Sequence, residues 1–292
     1  MLVCTLSFGQ QKRWAVVELS SICMRLEPDF ESALETQELM GTIVEITGEK
    51  GYWREIISPQ PYQAWCTAKS LVEMSRQELD AYKAAPKCIF TGLYGHIYEK
   101  PSFQSNTMSD LVGGDIMRIV RKGRWTKVML PSGRTGWVHS SMIKEHKGFT
   151  SIAKGEGNSD SISDELMEDI ISTAFKLKGI PYLWGGMTSK GVDCSGLIRW
   201  SCLMNGILLP RNASQIIHCG DPVSHDSLQR GDFLFYGTPA TSEKPQKVTH
   251  IALYIGNGQI IHSSQLVRVN SLDPNEPDYY ENAHRLIAAR RL

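Results

Sequence analysis

The stretch Asp193-Cys194-Ser195-Gly196-Leu197-Ile198-Arg199-Trp200 places a cysteine directly before an apolar, helix-forming run. A thiol at a helix N-terminus feels unpaired backbone N–H groups and the positive end of the helix dipole, so we expect the pKa of Cys194 to be lowered. This environment is typical of a nucleophile. The other six cysteines show no paired spacing, and most lie beside apolar residues. They predict small buried side chains, with no zinc or other metal site and no disulfide framework.

Further along the chain, two histidines stand on a predicted β-hairpin around Gly256-Asn257-Gly258, with His250 on the first strand and His262 on the second. A three-residue loop with its last glycine left-handed would pair Ile255 with Gln259 and put both histidines on one face. A two-residue loop would shift the pairing by one residue and put them on opposite faces. A catalytic role for both histidines predicts the three-residue loop.

The first half of the chain contains an internal repeat. Four landmarks recur at a common offset of 72 residues: Gly41, Trp53, Trp65 and Leu71 return as Gly113, Trp125, Trp137 and Ile143. Short alternating runs separated by glycine-rich turns surround them, and such runs predict two small β-barrels. Between the copies, Ser75 and Glu78 predict a capping box at the start of a short helix.

A polar segment rich in glycine and serine, residues 154–161, marks the boundary of a last domain. Ser161 is predicted to cap a helix whose apolar stripe runs from Leu166 to Leu177 and which ends at Gly179. The helix that begins at Cys194 and the hairpin strands follow. Helices first and an antiparallel sheet second predict an α+β domain.

The domain prediction is therefore a first β domain at residues 12–74, a connector at 75–86 and a second β domain at 87–147. A linker at 148–160 and a catalytic domain at 161–292 complete it.

Composition excludes several partners. Lys plus Arg equals Asp plus Glu at 31 each among 292 residues, so no overall field favours nucleic acid. No apolar run approaches the roughly 20 residues that span a bilayer.

Residues 1–9 fit either the tail of a signal peptide or a short buried strand. The first reading predicts the cell envelope or periplasm, and the second predicts the cytoplasm.

The ordered motifs together resemble the NlpC family of bacterial cell-wall cysteine peptidases, which have a compact papain-like fold. The motifs are Pro181-Tyr-Leu-Trp-Gly-Gly, Asp193-Cys-Ser-Gly, Leu209-Pro-Arg, Gly231-Asp-Phe, His250-Ile-Ala-Leu-Tyr-Ile-Gly-Asn-Gly and Ile260-Ile-His. The repeated half, with Gly136-Trp137-Val138, resembles the bacterial SH3-like domain. Tandem SH3-like domains before such a domain resemble the subgroup that cuts the γ-D-glutamyl to diamino acid bond of murein peptides with a free N-terminal L-Ala.

Amide hydrolysis by a thiol needs a base and a group that orients the base. His250 fits the base and His262 the orienting group, and the resemblance implies the same roles. Tyr182 resembles the family tyrosine that stabilises the oxyanion together with the Cys194 backbone N–H. The carboxylate of Asp193 opposes thiolate formation, so we expect it either to cap the helix or to bind a substrate ammonium group with Ser195.

Further substrate-binding candidates follow from the resemblance. Trp184 belongs to the first motif, and Tyr62 and Glu27 are candidates for a wall contributed by the first β domain. Arg211 fits either a substrate carboxylate or a neighbouring acid. Asn212 and Ala213 replace the Asp and Ser that related sequences often carry, so the substrate-binding wall is expected to differ in detail.

The resulting hypothesis is a cofactor-free cysteine peptidase that hydrolyses the γ-D-glutamyl to diamino acid bond of murein peptides. One alternative is a broader peptidoglycan endopeptidase anchored to the wall by its SH3-like domains. Another is a binding module whose catalytic domain is inactive, which the intact Cys194, His250 and His262 disfavour.

Overall fold

The computed structural model describes residues 12–59, 61–152 and 162–292. Residues 1–9 and most of the predicted linker lie outside these ranges, so their predictions stay open. Ser161 also lies outside them. None of the helices in the described ranges is long and apolar enough to cross a bilayer.

The first region is an all-β unit of seven strands. In the sheet they follow the order β3-β2-β6-β5-β4-β1-β7. Alternate residues point inward to a core that includes Met24, Val44, Ile56 and Cys66. The strands are β1 (Arg13–Val17), β2 (Ser21–Arg25), β3 (Leu34–Leu39), β4 (Ile43–Lys50), β5 (Trp53–Ser58), β6 (Tyr62–Thr67) and β7 (Leu71–Met74), with a 3-10 turn at Ala68–Ser70.

The second region repeats this topology strand for strand, with the sheet order β10-β9-β13-β12-β11-β8-β14. Trp53 and Trp125 begin equivalent strands, and Trp65 and Trp137 lie in the next pair. The predicted repeat is therefore confirmed. The strands are β8 (Lys87–Phe90), β9 (Tyr94–Tyr98), β10 (Thr107–Val112), β11 (Ile116–Arg121), β12 (Trp125–Met129), β13 (Thr135–His139) and β14 (Ile143–His146), with a 3-10 turn at Ser140–Met142.

Helix α1 (Arg76–Ala84) joins the two regions. The predicted capping box is present, because the Ser75 side chain accepts from the Glu78 N–H while the Glu78 carboxylate accepts from the Ser75 N–H. Leu79 and Tyr82 are buried against Val16 of β1, which fixes the helix to the first region.

The C-terminal region is α+β, as predicted. Helices α2 (Asp164–Lys176), α3 (Cys194–Met204) and α4 (Ala213–Ile216) accompany an antiparallel six-stranded sheet in the order β19-β24-β20-β21-β22-β23. Its strands are β19 (Asp221–Val223), β20 (Phe233–Thr238), β21 (Lys247–Gly256), β22 (Gln259–Ser264), β23 (Leu266–Ser271) and β24 (Leu286–Arg291). Short strands β15 (Thr150–Ser151), β16 (Met187–Thr188), β17 (Gly191–Val192) and β18 (Ile207–Leu208) form two-stranded pairs, and 3-10 turns lie at His225–Ser227 and Ala283–Arg285.

The start of α2 differs from the prediction. Its N-cap is Ser163, whose hydroxyl accepts from the Leu166 N–H, so the helix begins two residues later than a cap at Ser161 requires. Ser161 and Ser163 are both residue types that favour an N-cap, so the local sequence does not distinguish them. The packing of the apolar face of α2 on α3 is compatible with the cap at Ser163.

Helix α3 is the centre of the molecule, and all its residues after Cys194 are buried. The indole N–H of Trp200 donates to the Gly113 carbonyl of the second region at 2.7 Å. On the other side, the Met187 N–H donates to the Gln37 side chain of the first region at 2.9 Å. The Trp200 contact holds the second β region against the helix that carries Cys194, and the Met187 contact holds the first β region against β16 of the same C-terminal region.

The hairpin geometry corrects one detail of the prediction. Gly256 pairs with Gln259, as in a two-residue loop, and not residue 255 with residue 259. A bulge at Ile255 then shifts the register, so Leu253 pairs with Ile261 and His262 comes opposite Ala252. Because of this extra bulged residue, His250 and His262 lie on the same face of the sheet, which is the arrangement that the three-residue loop was predicted to produce.

Candidate active site

Cys194 lies at the first position of α3, where Asp193 is the N-cap. The Asp193 carboxylate accepts from the Gly196 N–H at 2.7 Å, which satisfies an otherwise unpaired helix donor. Cys194 is partly exposed in a cleft of about 220 Å³. Helix α3 packs on β21, and the Ile251 backbone acts on the pKa of the Cys194 thiol, so the thiol lies beside the strand that carries His250.

The electrostatics differ from the expectation for a helix-terminal thiol. Burial, followed by the Asp193 charge, raises the pKa of the Cys194 thiol to about 11, although the Ile251 and Ser195 backbone groups act in the opposite sense. The predicted lowering of the pKa is therefore wrong. Burial and the neighbouring His262 lower the pKa of His250 to about 3. The pair is a neutral thiol and a neutral imidazole across the physiological range.

The two histidines are directly hydrogen-bonded. His250 Nε2 lies 2.8 Å from His262 Nδ1, and His262 Nε2 lies 2.9 Å from Asn270 Oδ1. His262 is fully buried and Asn270 is 7% exposed. The structure therefore brings the predicted histidines together and adds a third polar group, Asn270, on β23.

This chain of bonds sets the protonation pattern of both imidazoles. The Asn270 Nδ2 group donates to the Asp278 carbonyl, so Oδ1 faces His262 and can only accept. His262 then carries its proton on Nε2 and accepts at Nδ1 from His250 Nε2–H. This leaves the lone pair of His250 on Nδ1, which is the tautomer a base requires.

Tyr280 packs against both histidine rings. Its ring centroid lies 4.8 Å from that of His262 and 5.8 Å from that of His250. Tyr236 contacts Tyr280 edge to face at 5.2 Å, so the imidazoles are held in an aromatic enclosure. Burial, followed by the Cys194 charge, raises the pKa of Tyr280 to about 12, and its hydroxyl stays protonated.

Asp193 is already neutralised by Arg211. The Arg211 Nη1 and Nη2 groups donate to the two carboxylate oxygens at 3.1 and 2.5 Å. The Gly185 N–H and the Ser195 hydroxyl also donate to this carboxylate, at 3.0 and 3.1 Å. Asp193 therefore caps α3 and forms a buried ion pair. No substrate amine is needed to explain a carboxylate beside the thiol.

Arg211 itself has no donor left for a substrate. Its Nε group donates to Thr36 of β3, and its remaining N–H groups reach Asp193, Ser195 and the Gly186 carbonyl. Arg211 is 1% exposed. Of the two roles predicted for it, the structure favours the neighbouring acid, and the substrate-carboxylate role is wrong.

The C-terminal region contributes Tyr182, Trp184 and Ser195, three of the predicted site residues, to the wall of the cleft. Burial, followed by the Cys194 and Asp193 charges, raises the pKa of Tyr182 to about 12, so it remains a hydrogen-bond donor. Trp184 is 67% exposed and presents an apolar ring to the cleft. Asn212 and Ala213, the two positions that depart from related sequences, also line it.

The first β region closes the cleft with Tyr62 and Glu35. The Tyr62 hydroxyl donates to Glu35 Oε2 at 2.6 Å, and Glu35 is partly exposed. Glu27 lies instead in an exposed turn between β2 and β3 and does not line the cleft, so its predicted role is wrong. The acidic wall residue is on β3, the strand that faces the C-terminal region through Thr36 and Gln37.

The fold and site can now be compared with known proteins. Residues 179–288 match the model of the NlpC/P60 family. The chain carries an NlpC/P60 domain. It is 28% identical over 257 residues to a gamma-D-glutamyl-L-lysine dipeptidyl-peptidase of Bacillus cereus, covering 85% of this chain and 73% of that protein. Dipeptidyl-peptidase 6 of Lysinibacillus sphaericus is 27% identical over 275 residues, covering 90% and 93%.

The crystal structure of an NlpC/P60 family protein from Bacillus cereus has the same overall fold. Its TM-score is 0.77 at 22% identity, and the match covers 95% of this chain and 99% of that one. The likeness therefore extends from the NlpC/P60 domain through both β regions.

Asn270 and Glu35 escaped the sequence analysis, as did the aromatic pair Tyr236 and Tyr280. Asn270 faces His262 because β22 and β23 pair with His262 opposite Arg268, which puts residue 270 diagonally across on the same face. Gln265 adopts a left-handed backbone conformation in the tight turn between the strands, but glutamine does not favour that conformation, so no sequence signal marked the turn. Glu35 had no comparable local signal, since only the contact between β3 and the NlpC/P60 domain places it at the cleft.

Proposed function

We propose that the chain is a cysteine peptidase that hydrolyses the γ-D-glutamyl to diamino acid bond of murein peptides. The observation that carries this proposal is the position of Cys194, which is partly exposed in a cleft and lies beside β21, the strand that carries His250. His250 is hydrogen-bonded to His262, and His262 is hydrogen-bonded to Asn270. The relatives named for gamma-D-glutamyl-L-lysine and dipeptidyl peptidase activity support the bond type.

In this mechanism, the Cys194 sulfur attacks the amide carbon as its proton passes to Nδ1 of His250. The thioester forms as the C–N bond breaks, and the same proton goes to the departing amine. Tyr182 and the Cys194 backbone N–H are the proposed donors to the oxyanion. Water, deprotonated by His250, then attacks the thioester and releases the new carboxylate and the free thiol.

The cleft also supports selection of a free N-terminal amine. Glu35 is partly exposed, and Tyr62 holds one of its oxygens at the end of the cleft opposite the NlpC/P60 wall. Asp193, in contrast, is compensated by Arg211. Glu35 is therefore the carboxylate proposed to bind the ammonium group of an N-terminal L-Ala, and Asp193 supports the wall.

The two β regions fit SH3-like domains, with boundaries at residues 12–74 and 87–147, a connector at 75–86 and a linker at 148–160 before the catalytic domain at 161–292. Their identical strand order supports two copies of one domain. The first of these two domains forms the closed end of the cleft. A closed end favours short free peptides over an intact polymer, because a groove open at both ends is needed to thread a strand.

The test compares L-Ala-γ-D-Glu-L-Lys with its N-acetylated form, with products followed by mass spectrometry. The wild type is expected to release lysine from the free-amine peptide and to prefer it. Glu35→Gln should lower kcat/KM for that peptide by about 30-fold or more and remove the preference, since breaking a desolvated charge pair costs about 2–5 kcal/mol.

Glu27→Gln is the matched control, because Glu27 is an exposed acid of the same region outside the cleft. Cys194→Ala should abolish hydrolysis of both peptides. Equal hydrolysis of free and acetylated peptides by the wild type would instead favour the broader endopeptidase. No thiol-dependent hydrolysis of either peptide would favour the binding module.

A further inference from the structure

A second cavity, of about 430 Å³, lies where the three regions of the molecule meet. Its walls come from the first β region, the end of α1, the second β region and α3. No described residue lines both this cavity and the Cys194 cleft. Its volume is in the range of small-molecule sites.

The inner end of the cavity contains an incompletely paired carboxylate. Glu38 is 5% exposed and lines the wall, and its Oε1 atom has no hydrogen-bond partner among the described residues. The nearest cation is Arg199, whose Nη1 lies 3.7 Å away, beyond hydrogen-bond distance, while its Nε donates to the Leu209 carbonyl. Arg199 therefore balances the charge of Glu38 but leaves the hydrogen-bonding capacity of Oε1 unused, and such buried atoms mark places where a ligand or water completes the site.

The rim of the cavity is mainly positively charged, in contrast to the carboxylate at the inner end. Lys83, Lys87 and Lys147 line it, against the single acid Glu145. Lys147 is exposed, so its ammonium group is available at the entrance. Lys83 is also exposed and adds positive charge nearby, although its ammonium group lies 5.7 Å from the centroid of the Trp14 ring. Between the two ends the wall is mostly apolar, with Ile43, Ile116, Leu203, Leu208 and Phe149.

We propose that this cavity binds a small amphipathic carboxylic acid that also carries an amide. The amide N–H donates to Glu38 at the inner end, the apolar body packs against the middle wall, and the carboxylate meets the lysines of the rim. A neutral N–H fits the inner end better than an ammonium group, because Arg199 already supplies a positive charge there. This site is independent of the peptidase chemistry.

The test uses isothermal titration calorimetry of the full chain with N-acetyl-L-leucine, which has the three required parts. N-acetyl-L-leucine amide serves as the ligand control because it lacks the carboxylate. The wild type should bind the acid at millimolar or lower concentration and bind the amide at least about tenfold more weakly. The double substitution Lys83→Glu with Lys147→Glu should weaken binding of the acid by about tenfold or more.

Lys100→Glu with Lys178→Glu is the matched control, since these exposed lysines make the same charge change away from both cavities. It should bind the acid as the wild type does. Glu38→Gln should weaken binding several-fold while the protein stays folded, because a charge-assisted hydrogen bond becomes a neutral one. The proposal is overturned if the wild type shows no binding, if acid and amide bind equally, or if the rim variant binds like its control.

Discussion

Replacing Asn270 with Ala tests the hydrogen-bond chain behind the proposed base. The His262 Nε2 to Asn270 Oδ1 bond of 2.9 Å joins two buried groups, and its loss leaves an N–H unsatisfied at a cost of about 1–3 kcal/mol. His262 can avoid this cost by moving its proton to Nδ1, which then faces His250 at 2.8 Å. The proton of His250 must then lie on Nδ1, where the base needs a lone pair.

The same 1–3 kcal/mol corresponds to a decline of about 5- to 150-fold in kcat/KM for L-Ala-γ-D-Glu-L-Lys. The decline should appear in kcat, since Asn270 is not among the residues that line the cleft. Asn270→Asp restores an acceptor and should recover most of the activity. Asn275→Ala, at an exposed amide that donates to Asp273, is the matched control. A folded Asn270→Ala protein within twofold of the wild type would refute the reasoning.

Three further predictions concern stability, measured by denaturant unfolding. Arg211→Met should lower the free energy of unfolding by about 3–5 kcal/mol, because the buried Asp193 loses its counter-ion; a loss below about 1 kcal/mol would contradict the ion-pair account. Trp200→Phe should cost about 1–3 kcal/mol by leaving the Gly113 carbonyl unpaired, and an unchanged midpoint would show that this contact between regions contributes little. Burial lowers the pKa of His250 and of His262, so the unfolded chain binds more protons below about pH 6.5, and stability should fall as the pH drops from there. His250→Gln should flatten that slope by up to about 1.4 kcal/mol per pH unit, and an identical slope would contradict the pKa assignment.

Local patterns predicted the architecture well because each signal was short-range. The tryptophan and glycine landmarks of the repeat mark equivalent strands, and Ser75 with Glu78 forms the expected capping box. The position of Cys194 at a helix start was also evident, since Asp193 is a strong N-cap and the following residues are apolar.

The errors arose where long-range packing decides the outcome. Glu27 and Glu35 flank the same turn, and only the docking of β3 against the NlpC/P60 domain selects Glu35. The pKa of Cys194 depends on burial and on Asp193, which outweigh the helix terminus. The Ile255 bulge is likewise invisible in a sequence that fits either hairpin loop.

The most direct measurement of the central claim is intact-protein mass spectrometry after rapid quenching of the enzyme with excess L-Ala-γ-D-Glu-L-Lys. The account predicts a covalent adduct of the L-Ala-D-Glu acyl group, mapped to the peptide that contains Cys194, together with free lysine. Cys194→Ala should form neither the adduct nor lysine. An adduct on another residue, or lysine release by Cys194→Ala at the wild-type rate, would contradict the assignment of Cys194 as the nucleophile.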